Sequence, residues 1–273
     1  MSTCKQTKKD HCEVIGLLPA GGHASRIAPL PCSKELYPVG FRKVDNEGNL
    51  RTKVISHYLL EKMSLAGILK AYIILRSGKW DIPAYFEDGK ILNMHIAYLM
   101  MNLPYGVPYT LDQAYPFIQT SNVAFGFPDI IFRTKDVFVK MIKKHLNTDA
   151  EVVLGLFPAD EPHKKDMVDI GGDSRIREIV KNPIKTSLRY TWSIAVWTPH
   201  FSRFMHEYVA SRLTISDRDN YDTTSEQGEL TLGEVIQAAI ENRMNVVGII
   251  FHSDSCLDIG TPTNLVKAVR NLS

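Results

Sequence analysis

The chain lacks several features that would place a protein in a class at once. It has no apolar run approaching the roughly 18–20 residues needed to cross a bilayer, and its first residues contain no apolar signal segment. Four cysteines occur and none forms a C-x-x-C pair, which disfavours a zinc knuckle or a thioredoxin-type site. We therefore expect free thiols in a reducing compartment, a cytoplasmic location and no membrane partner.

An excess of charge of one sign is also missing. The 273 residues carry 32 Lys and Arg against 30 Asp and Glu, a net charge of +2 that is too close to neutral for a general nucleic-acid binder. We interpret residues 1–12, with their few lysines, as a flexible solvated tail. Neither an internal repeat nor a linker interrupts the rest, so we predict a single domain over residues 1–273.

Common catalytic signatures are absent as well. There is no G-x-x-x-x-G-K-[ST] phosphate loop, and the first glycine-rich loop is not G-x-G-x-x-G, which disfavours P-loop enzymes and dinucleotide-binding domains. Neither G-x-S-x-G nor H-E-x-x-H occurs. Any chemistry performed by this chain must then depend on something other than an activated serine or a histidine-bound zinc.

What the chain does have is an alternation of short apolar runs with amphipathic stretches. The predicted strands are residues 14–18, 71–75, 122–126, 151–157, 167–170, 176–180, 191–197 and 244–251. The predicted helices are residues 54–66, 110–118 (with Thr110 as cap), 137–145, 199–213, 232–241 and 262–270 (with Thr261 as cap). This order predicts an α/β fold with a mixed, mainly parallel central sheet, helices on both faces and a small antiparallel extension.

The loop after the first predicted strand is the most informative stretch. Gly21 and Gly22 let the backbone approach a ligand closely, and ligands bind at the carboxyl ends of strands in such sheets. Successive backbone N–H groups can cradle an anion there, and Arg26 and Lys34 add positive charge for phosphate. On spacing alone, a plain strand-to-helix turn with both cations solvated explains the loop equally well.

Residues 19–39 resemble the signature of the sugar-nucleotide pyrophosphorylases. The chain reads P-A-G-G-H-A-S-R at 19–26 and K-E-L-Y-P-V at 34–39, against L-A-G-G-x-G-T-R and K-x-L-L-P-V in the family. Departures include Pro19, Ser25 and a somewhat shorter interval between the Arg and the Lys. Shorter similarities follow in the family's order at residues 83–98, 110–114, 125–129, 228–232 and 257–262. Glucose-1-phosphate thymidylyltransferase is the nearest type.

This resemblance implies a single Rossmann-like, GT-A-like nucleotidyltransferase domain that uses Mg²⁺. The implied reaction transfers a nucleotidyl group from an NTP, with dTTP or UTP favoured, to a sugar 1-phosphate and releases pyrophosphate. Arg26 and Lys34 are the implied catalytic residues, and Asp129 and Asp258 the implied metal ligands, since Mg²⁺ prefers carboxylate and phosphate oxygens. Without the resemblance, a helix cap is the better interpretation of Asp258.

The implied substrate contacts match the family better on the nucleotide side than on the sugar side. The implied nucleotide-binding residues are Leu18, Ala20, Gly21 and Gly22 through their backbone, Asn102 at the base, and Thr110 near the base or ribose. The family's E-K-P reads V-K-N-P here, so with Pro183 aligned Lys181 stands where the sugar-binding Glu is expected. Trp192 falls in the segment that begins with Thr-Gly in the family, and it either stacks on a sugar or fills the core. Residues 78–81 either close over the site or begin a solvated helix.

Two other functions stay open at this point. One is a cytidylyltransferase for a phosphonate or polyol phosphate, which the change at Lys181 favours mildly because it replaces a carboxylate by a cation. The other is a non-catalytic NDP-sugar-binding protein, against which the joint presence of Arg26, Lys34, Asp129 and Asp258 argues. The expected partners are the small-molecule substrates, with nucleic acid and membrane excluded and a homo-oligomer left open.

Overall fold

A nine-stranded sheet forms the centre of the computed structural model, which describes residues 12–101, 106–213, 229–252 and 256–272. Most of the predicted tail lies outside these ranges, and so does Asn102. The strands are β1 (Val14–Ala20), β2 (Pro38–Lys43), β3 (Leu50–Val54), β4 (Lys70–Leu75), β5 (His95–Met100), β6 (Asn122–Gly126), β7 (Ile130–Ile131), β8 (Val152–Pro158), β9 (Asp166–Ile170), β10 (Ile176–Lys181), β11 (Tyr190–Trp197), β12 (Val246–Ile250) and β13 (Leu257–Asp258).

The sheet is mixed and mainly parallel, as predicted. Its main order is β12-β8-β11-β6-β1-β4-β5, in which β6, β1, β4 and β5 run parallel and β11 is antiparallel to both its neighbours. Strands β9 and β10 form the predicted antiparallel extension, joined to the sheet through the first residues of β11. The central strands read as continuous apolar runs because both of their faces are buried.

Helices cover both faces of the sheet. They are α1 (Ile55–Leu65), α2 (Asp81–Phe86), α3 (Val107–Asp112), α4 (Tyr115–Ile118), α5 (Val137–Leu146), α6 (Pro199–Arg212), α7 (Leu232–Glu241) and α8 (Pro262–Leu272). On β1, the neighbours Leu17 and Leu18 point to opposite faces and belong to separate apolar clusters. Leu18 shares its cluster with Leu59 and Phe138, and Leu17 shares the other with Phe201, so each helix layer buries its own core.

Helix ends follow the sequence in two places and depart from it in a third. Helix α1 ends at Leu65, one residue before its predicted end, and Gly67 follows with a φ of +79°. Thr261 Oγ1 accepts from Asn264 N at the start of α8, as predicted. The predicted cap at Thr110 is wrong, because α3 begins at Val107 and Pro108 occupies its first turn. The stretch 110–118 is therefore parts of two short helices.

Several elements have no counterpart in the sequence prediction. They include the antiparallel hairpin of β2 and β3, the edge strand β5, and the two-residue strands β7 and β13 that pair with each other. Two residues are too few for any apolar period to reveal a strand. Within the described ranges, no helix combines the length and apolar character that crossing a bilayer requires.

Glu61 on α1 gives the stability of this fold a defined pH dependence. Burial alone would raise the pKa of this carboxyl, but hydrogen bonds from His57 and Lys53 outweigh that and hold the pKa at about 2, below the ordinary 4.5. The unfolded chain therefore binds this proton more readily than the folded chain. Glu61 stabilises the fold above pH 4.5, and that contribution is lost as the pH falls toward 2.

We expect Glu61→Gln to lower the free energy of unfolding at neutral pH and to flatten its fall between pH 4.5 and 2. Urea denaturation at a series of pH values measures both effects. Glu178→Gln, the same chemical change at an exposed position, is the matched control. An unchanged pH slope in Glu61→Gln contradicts the assignment.

Candidate active site

The glycine loop leaves β1 at the edge of the sheet where the parallel strands end. Strand β1 pairs with β6 only up to Leu17, while its pairing with β4 continues to Ala20. The backbone of residues 18–20 is thus free of β6 on one side, although the side chains of Leu18 and Ala20 are buried. A backbone edge that is left without a neighbouring strand at the carboxyl end of a central strand suits contacts to a nucleotide.

Two aspartates meet at this edge. Asp129 lies directly before β7 and Asp258 ends β13, and the pairing of these strands sets Asp258 opposite Ile130. A backbone hydrogen bond of 3.2 Å from Ile259 N to Asp129 O holds the two aspartate-bearing segments side by side. Because Thr261 caps α8, the alternative of Asp258 as helix cap is wrong; its Oδ1 instead accepts from Gly260 N at 2.7 Å.

Lys34 contacts the first of these acids. Its Nζ lies 2.5 Å from Asp129 Oδ2, and both side chains are about 85% buried, with 15% and 14% of their surface exposed. Burial alone would lower the pKa of Lys34, but the charge of Asp129, supported by Glu35 and Asp258, raises it. Lys34 is therefore a fixed cation facing both aspartates, and a Cβ on Gly22 would lie 3.7 Å from its Nζ.

Arg26 supplies the second cation at the same place. A Cβ added to Gly260 would lie 2.9 Å both from Arg26 Nη2 and from Asp258 Oδ1. The guanidinium is thus packed on the backbone beside Asp258, although the Arg26 side chain remains solvent-exposed. The four charged residues that the sequence singled out for phosphate and metal come together around the loop formed by Gly21 and Gly22.

Lys34 is held by neighbours that the sequence did not reveal. It begins a three-residue 3₁₀ helix, Lys34–Leu36, and Glu35 in that helix forms a buried ion pair with Lys79 at 2.7 Å. The carboxylate of Asp81 accepts from the N–H and the hydroxyl of Ser33 at 2.6 and 2.7 Å. A helix does begin at Asp81 and Trp80 beside it is exposed, but the side chain of Lys79 is buried.

A second polar cluster lies around Lys181. Its Nζ is 3.0 Å from Glu234 Oε2 on α7, and Asp166 stands opposite it in the β9–β10 register. Burial raises the pKa of Asp166, partly offset by the charge of Lys181. Two carboxylates thus surround one ammonium, so Lys181 does not by itself create a demand for an additional anionic group on the ligand. Sequence reasoning missed both acids because they belong to other strands and helices.

Trp192 joins this cluster to the segment that precedes Asp129. Its side chain is 7% exposed and its ring centroid lies 6.1 Å from that of Phe127, two residues before Asp129. The buried indole Nε1 makes no hydrogen bond of ordinary geometry, yet it is close enough to Asp166 to help lower the pKa of that carboxyl. The indole donor is thus left without a partner of ordinary geometry beside a carboxylate acceptor.

The structure says less about the remaining predicted nucleotide-binding residues. Thr110 is buried within α3 and its hydroxyl donates to Gly106 O at 3.3 Å, so its role at the base stays a prediction. A Cβ on Gly21 would lie 2.4 Å from Met101 Sδ, which places the end of β5 directly over the loop. Asn102, the predicted base reader, follows Met101 but lies outside the described residues.

Comparison with known proteins identifies this arrangement. A family model for nucleotidyl transferases matches residues 15–273. The chain belongs to the nucleotidyl transferase family. The resemblance at the glycine loop is thus confirmed over nearly the whole chain, and the protein is a nucleotidyltransferase. No curated protein sequence matches it significantly.

Solved structures share the fold of this nucleotidyltransferase. A protein from Bacillus anthracis assigned as a glucose-1-phosphate thymidylyltransferase, in complex with a sucrose, has a TM-score of 0.77 at 18% identity, covering 94% of each chain. UDP-glucose pyrophosphorylase complexed with UDP-glucose has a TM-score of 0.74 at 15% identity, covering 95% of this chain and 98% of the other. At these identities, the likeness establishes the common Rossmann-like fold.

Gly260→Ala tests the packing of Arg26 and Asp258 on this backbone. The new methyl group would lie 2.9 Å from atoms of both side chains, so both must shift, while the core stays intact. We expect an unchanged melting temperature and a rate of nucleotidyl transfer reduced roughly tenfold or more, because small displacements of reacting groups are costly. Gly172→Ala, where a Cβ meets nothing within 4 Å, is the control. Full activity in Gly260→Ala would show that neither side chain needs its position.

Proposed function

We propose that the protein transfers a nucleotidyl group from an NTP, with dTTP or UTP favoured, to a sugar 1-phosphate and releases pyrophosphate. The observation that carries this proposal is the convergence of Arg26, Lys34, Asp129 and Asp258 around the glycine loop. Two cations and two carboxylates beside backbone that β6 leaves unpaired suit polyphosphate chemistry.

The reaction needs positioning and charge neutralisation more than acid–base groups. A phosphate oxygen of the acceptor attacks the α-phosphorus, and the bond from that phosphorus to the oxygen bridging it to the β-phosphate breaks. The attacking oxygen is already ionised, so no general base is required. Arg26 would stabilise the charge that develops on the leaving pyrophosphate. Lys34, which lies over Gly22, would contact the transferring phosphate held on the loop.

The carboxylates fit a hydrated Mg²⁺. Asp129 and Asp258 present only oxygen ligands, and within the described ranges no cluster of three or more His, Cys, Asp or Glu forms a protein-only metal site. Mg²⁺ usually takes one or two carboxylates and completes its shell with water and substrate phosphates. When bound there, the ion would neutralise negative charge on the phosphates. With Mg²⁺ and substrate bound, Lys34 would contact both Asp129 and a phosphate of the substrate.

The cluster around Lys181 is the proposed acceptor side. Phe127 connects it to Asp129, so an acceptor whose phosphate lies near the aspartates can extend its sugar toward Trp192. A sugar hydroxyl both accepts and donates, and it can therefore bridge the indole N–H of Trp192 and the carboxylate of Asp166. Lys181 and Glu234 would flank the same ligand. A hydroxyl-bearing acceptor matches this cluster better than an apolar one.

A pyrophosphate-release assay tests the reaction directly. Purified protein with Mg²⁺ is offered dTTP, UTP, CTP, ATP and GTP against a panel of sugar 1-phosphates, polyol phosphates and phosphonates. We expect turnover with a pyrimidine nucleotide and a hexose 1-phosphate. Turnover confined to CTP and another acceptor would select the cytidylyltransferase, and NDP-sugar binding without turnover would select the binding protein.

Variants of the charged centre test the assigned roles. We expect Arg26→Ala to lower kcat about 100-fold or more, since fixed donors at developing charge typically contribute that much. Asp129→Asn should abolish the response of the rate to Mg²⁺ concentration. Arg203→Ala, at an exposed position of α6, is the control and should retain wild-type rates. Wild-type kcat in Arg26→Ala would remove Arg26 from the mechanism.

Asp166→Asn tests the acceptor side. Loss of one charged hydrogen-bond acceptor should raise KM for the acceptor roughly tenfold and leave KM for the NTP unchanged. Asp169→Asn is the matched control, because Asp169 lies on the same strand and faces the other side of the sheet. Equal effects of Asp166→Asn on both KM values would argue that Asp166 only supports α7, against whose Gly233 its carboxylate packs.

A further inference from the structure

A buried ion pair lies directly behind Lys34 and has no part in the proposed reaction. Lys79 Nζ lies 2.7 Å from Glu35 Oε1, and the two side chains are 5% and 2% exposed. Glu35 is the next residue after Lys34, at a position that the K-x-L signature leaves open. The pair therefore joins the segment that carries Lys34 to the residues just before α2.

This pair is poorly suited to a purely stabilising role. Burial raises the pKa of Glu35 and lowers the pKa of Lys79, so the protein interior disfavours the charged form of each group, and their mutual attraction only partly offsets this. The second carboxylate oxygen, Glu35 Oε2, is buried without a hydrogen-bond partner. Replacing such pairs by apolar residues is often neutral or stabilising in proteins. The presence of this pair therefore indicates that it holds the Lys34 segment in a particular position.

A second set of interactions, from Asp81 at the start of α2, also holds the segment that carries Lys34. Both hydrogen bonds to the Asp81 carboxylate come from Ser33, the residue before Lys34. Ser56 Oγ adds a bond of 2.8 Å to the backbone oxygen of Glu35. The residues on both sides of Lys34 are thus tied to other elements. Without such ties nothing local would hold them, because a three-residue 3₁₀ helix with no side-chain cap has little stability of its own.

We propose that Lys79 and Asp81 are positioning residues for Lys34. Lys79 acts through Glu35 and Asp81 acts through Ser33, and together they fix the rotation of the Lys34–Leu36 helix. That rotation places the Lys34 ammonium between Asp129 and Gly22. The proposal rests on the proposed function insofar as Lys34 is to contact a transferring phosphate, and residues 78–81 are a support for the site and not a lid.

The first test removes the pair without leaving a charge buried alone. Glu35→Leu/Lys79→Met keeps the volume and removes both charges, so we expect a melting temperature close to that of the wild type. We expect kcat to fall roughly 10- to 100-fold with KM for both substrates little changed, because Lys34 is displaced only slightly. A crystal structure of the variant should show the contact between Lys34 Nζ and Asp129 lost. Lys79→Arg in the otherwise wild-type chain, which keeps the charge and its partner Glu35, should retain most of the rate.

Asp81→Ala provides a second variant in which no buried charge is involved. It removes both bonds to Ser33, and we expect a smaller fall in kcat in the same direction with unchanged substrate KM. In a Lys34→Met background, neither replacement should lower kcat further, because residues that act through Lys34 are not additive with its loss. Additive losses in that background would overturn the proposal.

The outcomes separate this proposal from the proposed function. If the double variant and Asp81→Ala both keep the Lys34–Asp129 contact in their crystal structures and the wild-type kcat, the ties are structural only and the proposal is wrong. If the contact is lost in the variants while the wild-type protein releases no pyrophosphate from any NTP, the positioning role stands and the proposed function fails.

Discussion

The pairing of β7 with β13 is the contact on which the candidate active site depends. Each strand has two residues, and one hydrogen bond from Ile259 N to Asp129 O extends the pairing beyond them. Asp129 follows a central strand of the sheet, whereas Asp258 comes from near the end of the chain. Without this pairing the two carboxylates would belong to separate parts of the surface, and the candidate active site would not form.

Charge at this edge is arranged before any ligand binds. Lys34 forms an ion pair with Asp129, and the adjacent residue Glu35 forms a buried ion pair with Lys79. Positive and negative side chains therefore alternate from the site toward the protein interior. Such preorganisation costs stability, because buried charges lose their hydration, and it favours groups whose positions matter for chemistry. The same logic accounts for the unsatisfied indole N–H of Trp192 beside Asp166, where a ligand hydroxyl could complete the hydrogen bonds.

The sequence predicted the fold more completely than it predicted the site. Apolar runs of five or more residues predicted the strands β1, β4, β6 and β8, and the amphipathic periods predicted the main helices, because burial on one or both faces leaves a periodic trace. The predicted cap at Thr110 was wrong because Pro108 in the first turn moved the start of α3. Strands of two residues left no trace at all.

By itself the sequence determined the glycine loop, Arg26, Lys34, Asp129 and Asp258, since these residues lie within ordered local motifs. Their convergence, and the partners Glu35, Lys79, Asp81 and Asp166, were decided only by the tertiary structure. The physical reason is that an ion pair or a hydrogen bond depends on distances of about 3 Å between side chains. Such distances join residues far apart in the chain, and neither periodicity nor a local motif records them.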